Sequence, residues 1–231
     1  MKKTFVISDI HGCLKALLAL LEEVKFDYEN DRLICLGDTC DRGYDVKGCF
    51  DELFKIKNLI YILGNHDDWV LSDFKGEFGI GDKENWWHQG GFETMKSFNS
   101  QKLPVEYGKF LNKALPYYVE DNKLFVHGGF DPETPIEKHS TTHLIWDRDL
   151  IWKAKHCQAM FKRHGHSNKV SIYDEIFIGH TPTLSIDRTT DPIHWANVWD
   201  IDTGCVYGGK LTIMNLDTKE YFQVDKNGNK K

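Results

Sequence analysis

Residues 32–43 read RLICLGDTCDRG. A β-branched, apolar run leads into a glycine-bounded turn that carries Asp38, Asp41 and Arg42. Asp and Gly both tolerate the backbone angles of tight turns, so turn chemistry alone explains this stretch as well as a functional site does. The flanking segments decide between the two. TFVIS (4–8) and LIYILG (59–64) are further short apolar runs that read as buried strands. Between them, Leu14, Leu17, Leu18 and Leu21 fall at helical spacing, as do Val46, Phe50, Leu53 and Phe54 over 46–57. The N-terminal third therefore reads as strand, helix, strand, helix, strand, and the chain as α/β.

Farther on, KLFVHG (123–128), EIFIGH (175–180), NVWDID (197–202) and KLTIMNL (210–216) are strand candidates. The segments at about 68–122 and 130–174 show no strong period and read as helical and loop elaboration of one domain spanning 1–231. The tail DKNGNKK is expected to fray.

The chain has 231 residues and a formal net charge of −6, with 41% hydrophobic residues, which suits a soluble globular domain without a global footprint for nucleic acid. An anionic substrate would need local attraction from metal ions or placed arginines. The apolar part of MKKTFVISDI is broken by Ser8 and Asp9, too early for a signal or membrane segment. Six cysteines without a CxxC pair fit a reducing compartment, so a cytoplasmic protein without membrane association is expected.

Five strand candidates end in residues of metal-ligand type: Asp9 and His11, Asp38, Asn65 and His66, His127, and His180. A lone histidine at a strand end is more often a solvated or hydrogen-bonded residue, but so many coincident ends are hard to explain that way. Carboxyl ends of strands are where open α/β sheets build sites. Asp9 and His11, at i and i+2, would project from one face of extended backbone. One set of Asp9, His11 and Asp38 and a second of Asp38, Asn65, His127 and His180 share a carboxylate, the simplest way to hold two divalent ions about 3.5–4 Å apart. Imidazole, amide and carboxylate ligands suit Mn, Fe or Zn, and the absence of cysteine ligands argues against a structural zinc site. Such a pair can share a water, lower its pKa and present hydroxide in line with phosphorus.

DIHG, GDTCDRG, GNHDD, VHGG, IGHTP and IDTG, in this order, resemble the metal-dependent phosphoprotein phosphatases of the calcineurin-like metallophosphoesterase family. LIWDRDLI, WWHQGG and IDTGCVYGGKLT are closest to the bacterial and phage branch, and the likeness spans about 4–216. It implies a central β-sandwich of two mixed sheets flanked by helices, and the same two ligand sets. It also implies His66 as the acid that protonates the leaving alkoxide, Asp41 as the carboxylate fixing its tautomer, and Arg42 with Arg148 gripping phosphate oxygens beside Asn65. Arg148 could instead pair with Asp147 or Asp149 at the surface. Asp67 stands where the family usually has Glu, and Cys40 where an apolar residue is more usual.

The activity expected on this basis is hydrolysis of phosphoserine and phosphothreonine, with phosphotyrosine in reach, in a phosphorylated protein or peptide. Two alternatives are a symmetrical dinucleoside tetraphosphate hydrolase and a scaffold that binds phosphate without turnover. His156, Cys157, His164 and His166 match no trusted zinc spacing. Trp86 and Trp87 could line the cleft or pack a helix against the core.

Overall fold

The computed structural model describes residues 2–79 and 81–230. Strand β1 (Thr4–Ile7), helix α1 (Leu14–Glu23), β2 (Arg32–Cys35), α2 (Val46–Leu53) and β3 (Asn58–Tyr61) follow the expected alternation, with the three strands parallel. All of β1 is buried because both of its faces are covered. In α1 the buried stripe is Ala16, Leu17, Leu20 and Leu21, whereas Leu18 faces solvent, so the stripe is rotated from the leucine spacing. Asp45 caps α2 by accepting from Gly48 N at 2.8 Å, a contact of the kind worth about 1 kcal/mol.

After β3 come α3 (Asn65–Lys75), α4 (Asp82–Trp86), a π-turn (Trp87–Gly91), α5 (Phe92–Ser97) and α6 (Val105–Leu111). Then follow β4 (Tyr117–Glu120), β5 (Lys123–Val126), α7 (Thr141–Trp146), α8 (Leu150–His164), β6 (Glu175–Ile178) and α9 (Thr183–Asp187). The chain closes with β7 (Ile193–Trp195), β8 (Val198–Asp200), β9 (Leu211–Asn215) and β10 (Tyr221–Val224). The strands form two mixed five-stranded sheets, ordered β10-β9-β1-β2-β3 and β4-β5-β6-β8-β7.

Side chains alternate along the strands and so divide into three cores. Val6, Ile34, Met214, Phe125 and Phe177 pack between the sheets, where the two phenylalanines stack with centroids 5.1 Å apart. Phe5, Ile7, Leu33 and Cys35 point the other way, toward α1 and α2. Leu124, Val126, Ile176 and Ile178 pack outward against α7 and α8. The result is helices, sheet, sheet, helices, the sandwich that the family resemblance implied.

Two expectations are corrected. The segment read as helix and loop over 68–122 contains β4, whose Tyr117 and Tyr118 pair with Val126 and Phe125 across a hairpin. That strand is short and half-exposed, so its alternation is weak in sequence. The tail does not fray through residue 230: Asp225 N donates to Asn229 O at 2.9 Å and Lys230 pairs with Glu23. Lys231 lies outside the described residues.

Candidate active site

The strands stop short of the residues that matter. β1 ends at Ile7 and β2 at Cys35, and the chain then turns sharply, with positive φ at Asp9, His11, Asp38, Asp41, Arg42 and His180. The backbone at Asp9 and His11 is therefore left-handed and not extended, and it parts the two side chains: His11 joins Asp38 and His66, while the Asp9 carboxylate adjoins His180, which corrects the sequence argument that extended spacing would aim both at one ion. Left-handed backbone at non-glycine residues costs energy and tends to persist where surrounding structure enforces it. Two glycines permit the close approach. A Cβ on Gly37 would lie 2.4 Å from Gly64 N, and one on Gly64 would lie 2.1 Å from Asp38 Oδ1.

Asp67 ties these turns together. Its Oδ2 accepts from Asp38 N, Tyr61 Oη and Gly64 N at 2.8, 2.8 and 3.2 Å, while Oδ1 accepts from Thr39 N and Cys40 N at 3.1 and 3.2 Å. The shorter carboxylate at this position thus holds the loops after β2 and β3 to each other. Burial, with the charge of Asp38, pushes its pKa up to about 6, so it is mainly ionised at neutral pH, as an acceptor of five donors must be.

The donor atoms converge in two groups, His11 with Asp38 and His66, and Asp38 with His127 and His180, each within 4.8 Å. Asp38 is common to both. Its Oδ2 lies 3.7 Å from His11 Nε2 and 3.4 Å from His127 Nε2, and its Oδ1 accepts from His66 N at 2.9 Å at the start of α3. Asn65 Oδ1 sits 3.0 Å from His127 Nε2 and 2.8 Å from His180 Nδ1. Asp9 adjoins the second group: its Oδ2 accepts from Ser8 Oγ, and from His180 N at 3.2 Å.

Burial sets the protonation states. It drives His11 well below the ordinary histidine range, with His66 and Arg42 adding to the effect, and drives His180 down to about 2. His11 Nδ1 donates to Cys40 O at 2.6 Å, leaving Nε2 with its lone pair toward Arg42 Nη1 at 2.8 Å. Burial also opposes charge on His127, but Asp38 and Asp9 outweigh it and raise that ring to about 9, while Nδ1 donates to Leu36 O at 2.7 Å. Asp38 is held well below the carboxylate range because His127 and His66 outweigh its burial. Burial pushes up Asp9, and Asp202 well above the ordinary range.

Beside this cluster His66 Nδ1 donates to Asp41 Oδ2 at 2.7 Å. Asp41 is fully buried and also accepts from Thr94 Oγ1 at 2.6 Å and Trp86 Nε1 at 3.0 Å. Burial raises its pKa against the pull of those hydrogen bonds. Trp86 and Thr94 arrive because the π-turn abuts residues 41 and 42: a Cβ on Gly90 would lie 2.5 Å from Arg42 N. Trp86 is therefore a buried partner of Asp41 and not a cleft wall, while Trp87 packs on Trp86 and Phe92 outside the cleft.

A cleft of about 360 Å³ opens over the cluster, with Arg42 and Arg148 among its lining residues. Arg42 lies over the Tyr207 ring at 5.2 Å, and Arg148 Nη1 donates to Thr181 Oγ1 at 3.0 Å. Asp147 Oδ1 instead accepts from Asp149 N and Leu150 N at the start of α8. Sequence reasoning missed Trp69, Trp146 and Tyr207, which also line the cleft. Trp69 could have been found, since it follows His66 by three residues on a helix and so shares its face. His164 and His166 lie exposed at the far end of α8, and Cys157 Sγ donates to Ser167 O.

Most of the residues that build this set of buried imidazoles around one carboxylate, open to a cleft with two arginines, lie in a stretch of chain that a known family matches. The family model for calcineurin-like phosphoesterases matches residues 2–205. The chain belongs to the calcineurin-like phosphoesterases. It is 28% identical over 223 residues to serine/threonine-protein phosphatase 1 of Salmonella typhimurium, covering 93% of this chain and 92% of that one. It is 26% identical over 275 residues to a symmetrical bis(5'-nucleosyl)-tetraphosphatase of Pseudomonas fluorescens, covering 95% and 93%. A solved structure named, in provisional terms, a diadenosine tetraphosphatase superposes with a TM-score of 0.69 at 20% identity over 96% of this chain and 93% of that one, a likeness of fold.

The family's dinuclear metal site fits the side chains present. The donor set mixes imidazole nitrogen with carboxylate and amide oxygen. His180 Nε2 is buried without a hydrogen-bond partner, as a nitrogen reserved for a cation would be. The Nδ1 atoms of His11 and His127 are bound to backbone carbonyls, which orients Nε2 inward as outer partners of metal-ligating histidines do.

Proposed function

We propose that this calcineurin-like phosphoesterase is a metal-dependent phosphomonoesterase acting on phosphoserine and phosphothreonine in proteins or peptides, with phosphotyrosine also accepted. Asp9, His11 and Asp38 would hold one divalent ion, and Asp38, Asn65, His127 and His180 a second, manganese being the first to try. When bound, such ions supply an activated water and polarise phosphate oxygens. The residues do the rest. Arg42 and Arg148, both of which line the cleft, would grip phosphate oxygens. As the bond between phosphorus and the ester oxygen breaks, His66 Nε2 gives its proton to that oxygen, which otherwise leaves as a strongly basic alkoxide. Asp41, on Nδ1, keeps the ring in the tautomer that carries this proton and stabilises its charged form.

The pairing of His66 with the buried Asp41 at the rim of the ligand cluster is the observation that carries this reading, because a phosphate-binding scaffold has no use for an oriented proton donor. The choice of substrate is supported by length. The match to the protein phosphatase runs 223 positions, within this chain's own 231, whereas that to the tetraphosphatase runs 275, so the tetraphosphatase carries segments this chain lacks. One observation favours a dinucleoside tetraphosphate instead: Arg42 also borders a second groove of about 460 Å³ lined by Lys15 and Lys226, large enough for a second nucleotide half.

The test uses chelated protein resupplied with manganese, given phosphoserine and phosphothreonine peptides beside diadenosine tetraphosphate. Phosphate release from the peptides that stops with chelator is expected. Turnover of the dinucleotide alone would overturn the protein phosphatase reading.

A further inference from the structure

Trp69 and Trp146 are not ligands, acids or anion holders, yet they stand beside the chemistry. Trp69, one turn along α3 from His66, meets that imidazole edge to face, with centroids 4.9 Å apart and planes at 87°. Trp146, the last residue of α7, meets Trp69 at 5.1 Å with planes at 66° and His180 at 5.8 Å with planes at 87°. The two indoles thus run from the proton donor to a ligand of the second group, and both line the cleft. Trp146 stays 37% exposed, so this aromatic surface is open to whatever enters.

We propose that Trp69 and Trp146 form a wall for the leaving group that adds affinity for aryl over alkyl phosphate esters, so that acceptance of phosphotyrosine and other aryl phosphates beside the phosphoserine and phosphothreonine substrates depends on these two indoles. The inference rests on the phosphomonoesterase reading. The ester oxygen must reach His66 Nε2 to receive its proton, so the first carbon beyond that oxygen lies against the neighbouring ring, Trp69. A phenyl ring bonded directly to the ester oxygen can pack edge to face on the indoles, whereas a serine methylene offers one carbon. Aromatic pairs of this kind contribute roughly two- to tenfold in an equilibrium constant beyond area burial. A nucleobase does not fit the same role, because a ribose and further phosphates separate it from the scissile bond.

Aryl esters also hydrolyse faster on intrinsic grounds, so the test compares variants and not substrates alone. Trp69→Leu and Trp146→Leu should lower kcat/KM for a phosphotyrosine peptide by about five- to tenfold, mainly through KM, while a phosphoserine peptide of the same sequence changes by less than about twofold. Trp69→Phe should restore most of the loss. A second measurement needs no turnover: phenylphosphonate should bind the manganese-loaded protein about five- to tenfold more tightly than methylphosphonate, an advantage lost in Trp69→Leu. Equal loss on both peptides would mean that Trp69 merely supports His66, and equal phosphonate affinities would mean there is no aryl wall; either overturns the proposal. Failure of the phosphomonoesterase reading shows separately, as absence of phosphate release from any peptide by the unaltered protein.

Discussion

The two ends of the β-sandwich are built on opposite terms. At the carboxyl ends of the parallel strands, Asp9, Asp38, Asp41 and Asp67 lie buried among His11, His66, His127 and His180, on backbone that repeatedly turns left-handed. At the amino ends, charge sits in complementary pairs that join the sheets. Arg32 at the start of β2 makes a two-pronged contact with Glu120 at the end of β4, and Lys219 before β10 reaches Glu175 at the start of β6 at 2.8 Å. Left-handed residues occur here too, but at Asp121 and Asn122 they form the two-residue turn of the β4-β5 hairpin, where such angles are what the turn requires. The difference teaches where to look. Buried like charges crowded on costly backbone mark a site, and paired charges at strand starts mark a clamp.

That contrast can be broken most severely at Asp38. Asp38→Asn should cut manganese affinity and turnover by more than the roughly 100-fold that losing an outer partner of a ligand costs, measured by titration calorimetry and phosphate release, with the circular dichroism spectrum unchanged. Next, His66→Asn should slow phosphoserine peptide hydrolysis by about 10²–10⁴-fold while leaving manganese binding within a few-fold; a variant as fast as the parent would end its assignment as the acid. Asp41→Asn, which removes the charge behind His66 but keeps the shape, should cost about 10–100-fold in kcat.

The smallest effect belongs to the clamp. Arg32→Ala should leave activity unchanged and lower Tm by about 2–4 °C at pH 7, corresponding to about 1 kcal/mol for a half-exposed pair in a chain of this size. The hydrogen bond from Arg32 depresses the pKa of Glu120 below its ordinary 4.5, so the stabilisation is present above that value and is lost as pH falls through the depressed one. The Tm difference between parent and variant should therefore shrink on acidification below about pH 4.5. A difference independent of pH would mean that packing of the Arg32 stem, not the ion pair, joins the sheets.

Much of the fold was legible because β1, β2, β3, β5, β6, β8 and β9 are dense apolar runs, and runs buried on both faces announce themselves by composition. What escaped was β4, β7 and β10, three of the four outer strands, where half-exposure dilutes the pattern; the fourth, β3, was found because the apolar run LIYILG continues past its end. The approach of the candidate metal-ligating residues was legible for a related reason: each follows a strand, and parallel strands deliver their ends to one edge. Positions contributed by helices were not. Thr94 and Trp86 reach Asp41 only because of a π-turn pressed against residues 41 and 42, which nothing in local periodicity announces. Asp200 and Asp202, buried at and beyond the end of β8, were read only as part of the strand run NVWDID and the IDTG motif, since nothing in the sequence marks their burial.

Asp67 carries one last implication. With both oxygens taken by backbone donors from the loops after β2 and β3, and by a tyrosine from β3 itself, it behaves as a knot through which two loops share a single tether. The loop that carries the carboxylate at 38 and the turn that leads into the imidazole at 66 are thereby joined through one side chain. With the centre joined in this way, the side chains exposed to whatever enters are those at the mouth of the cleft, Trp146, Tyr207 and Arg148.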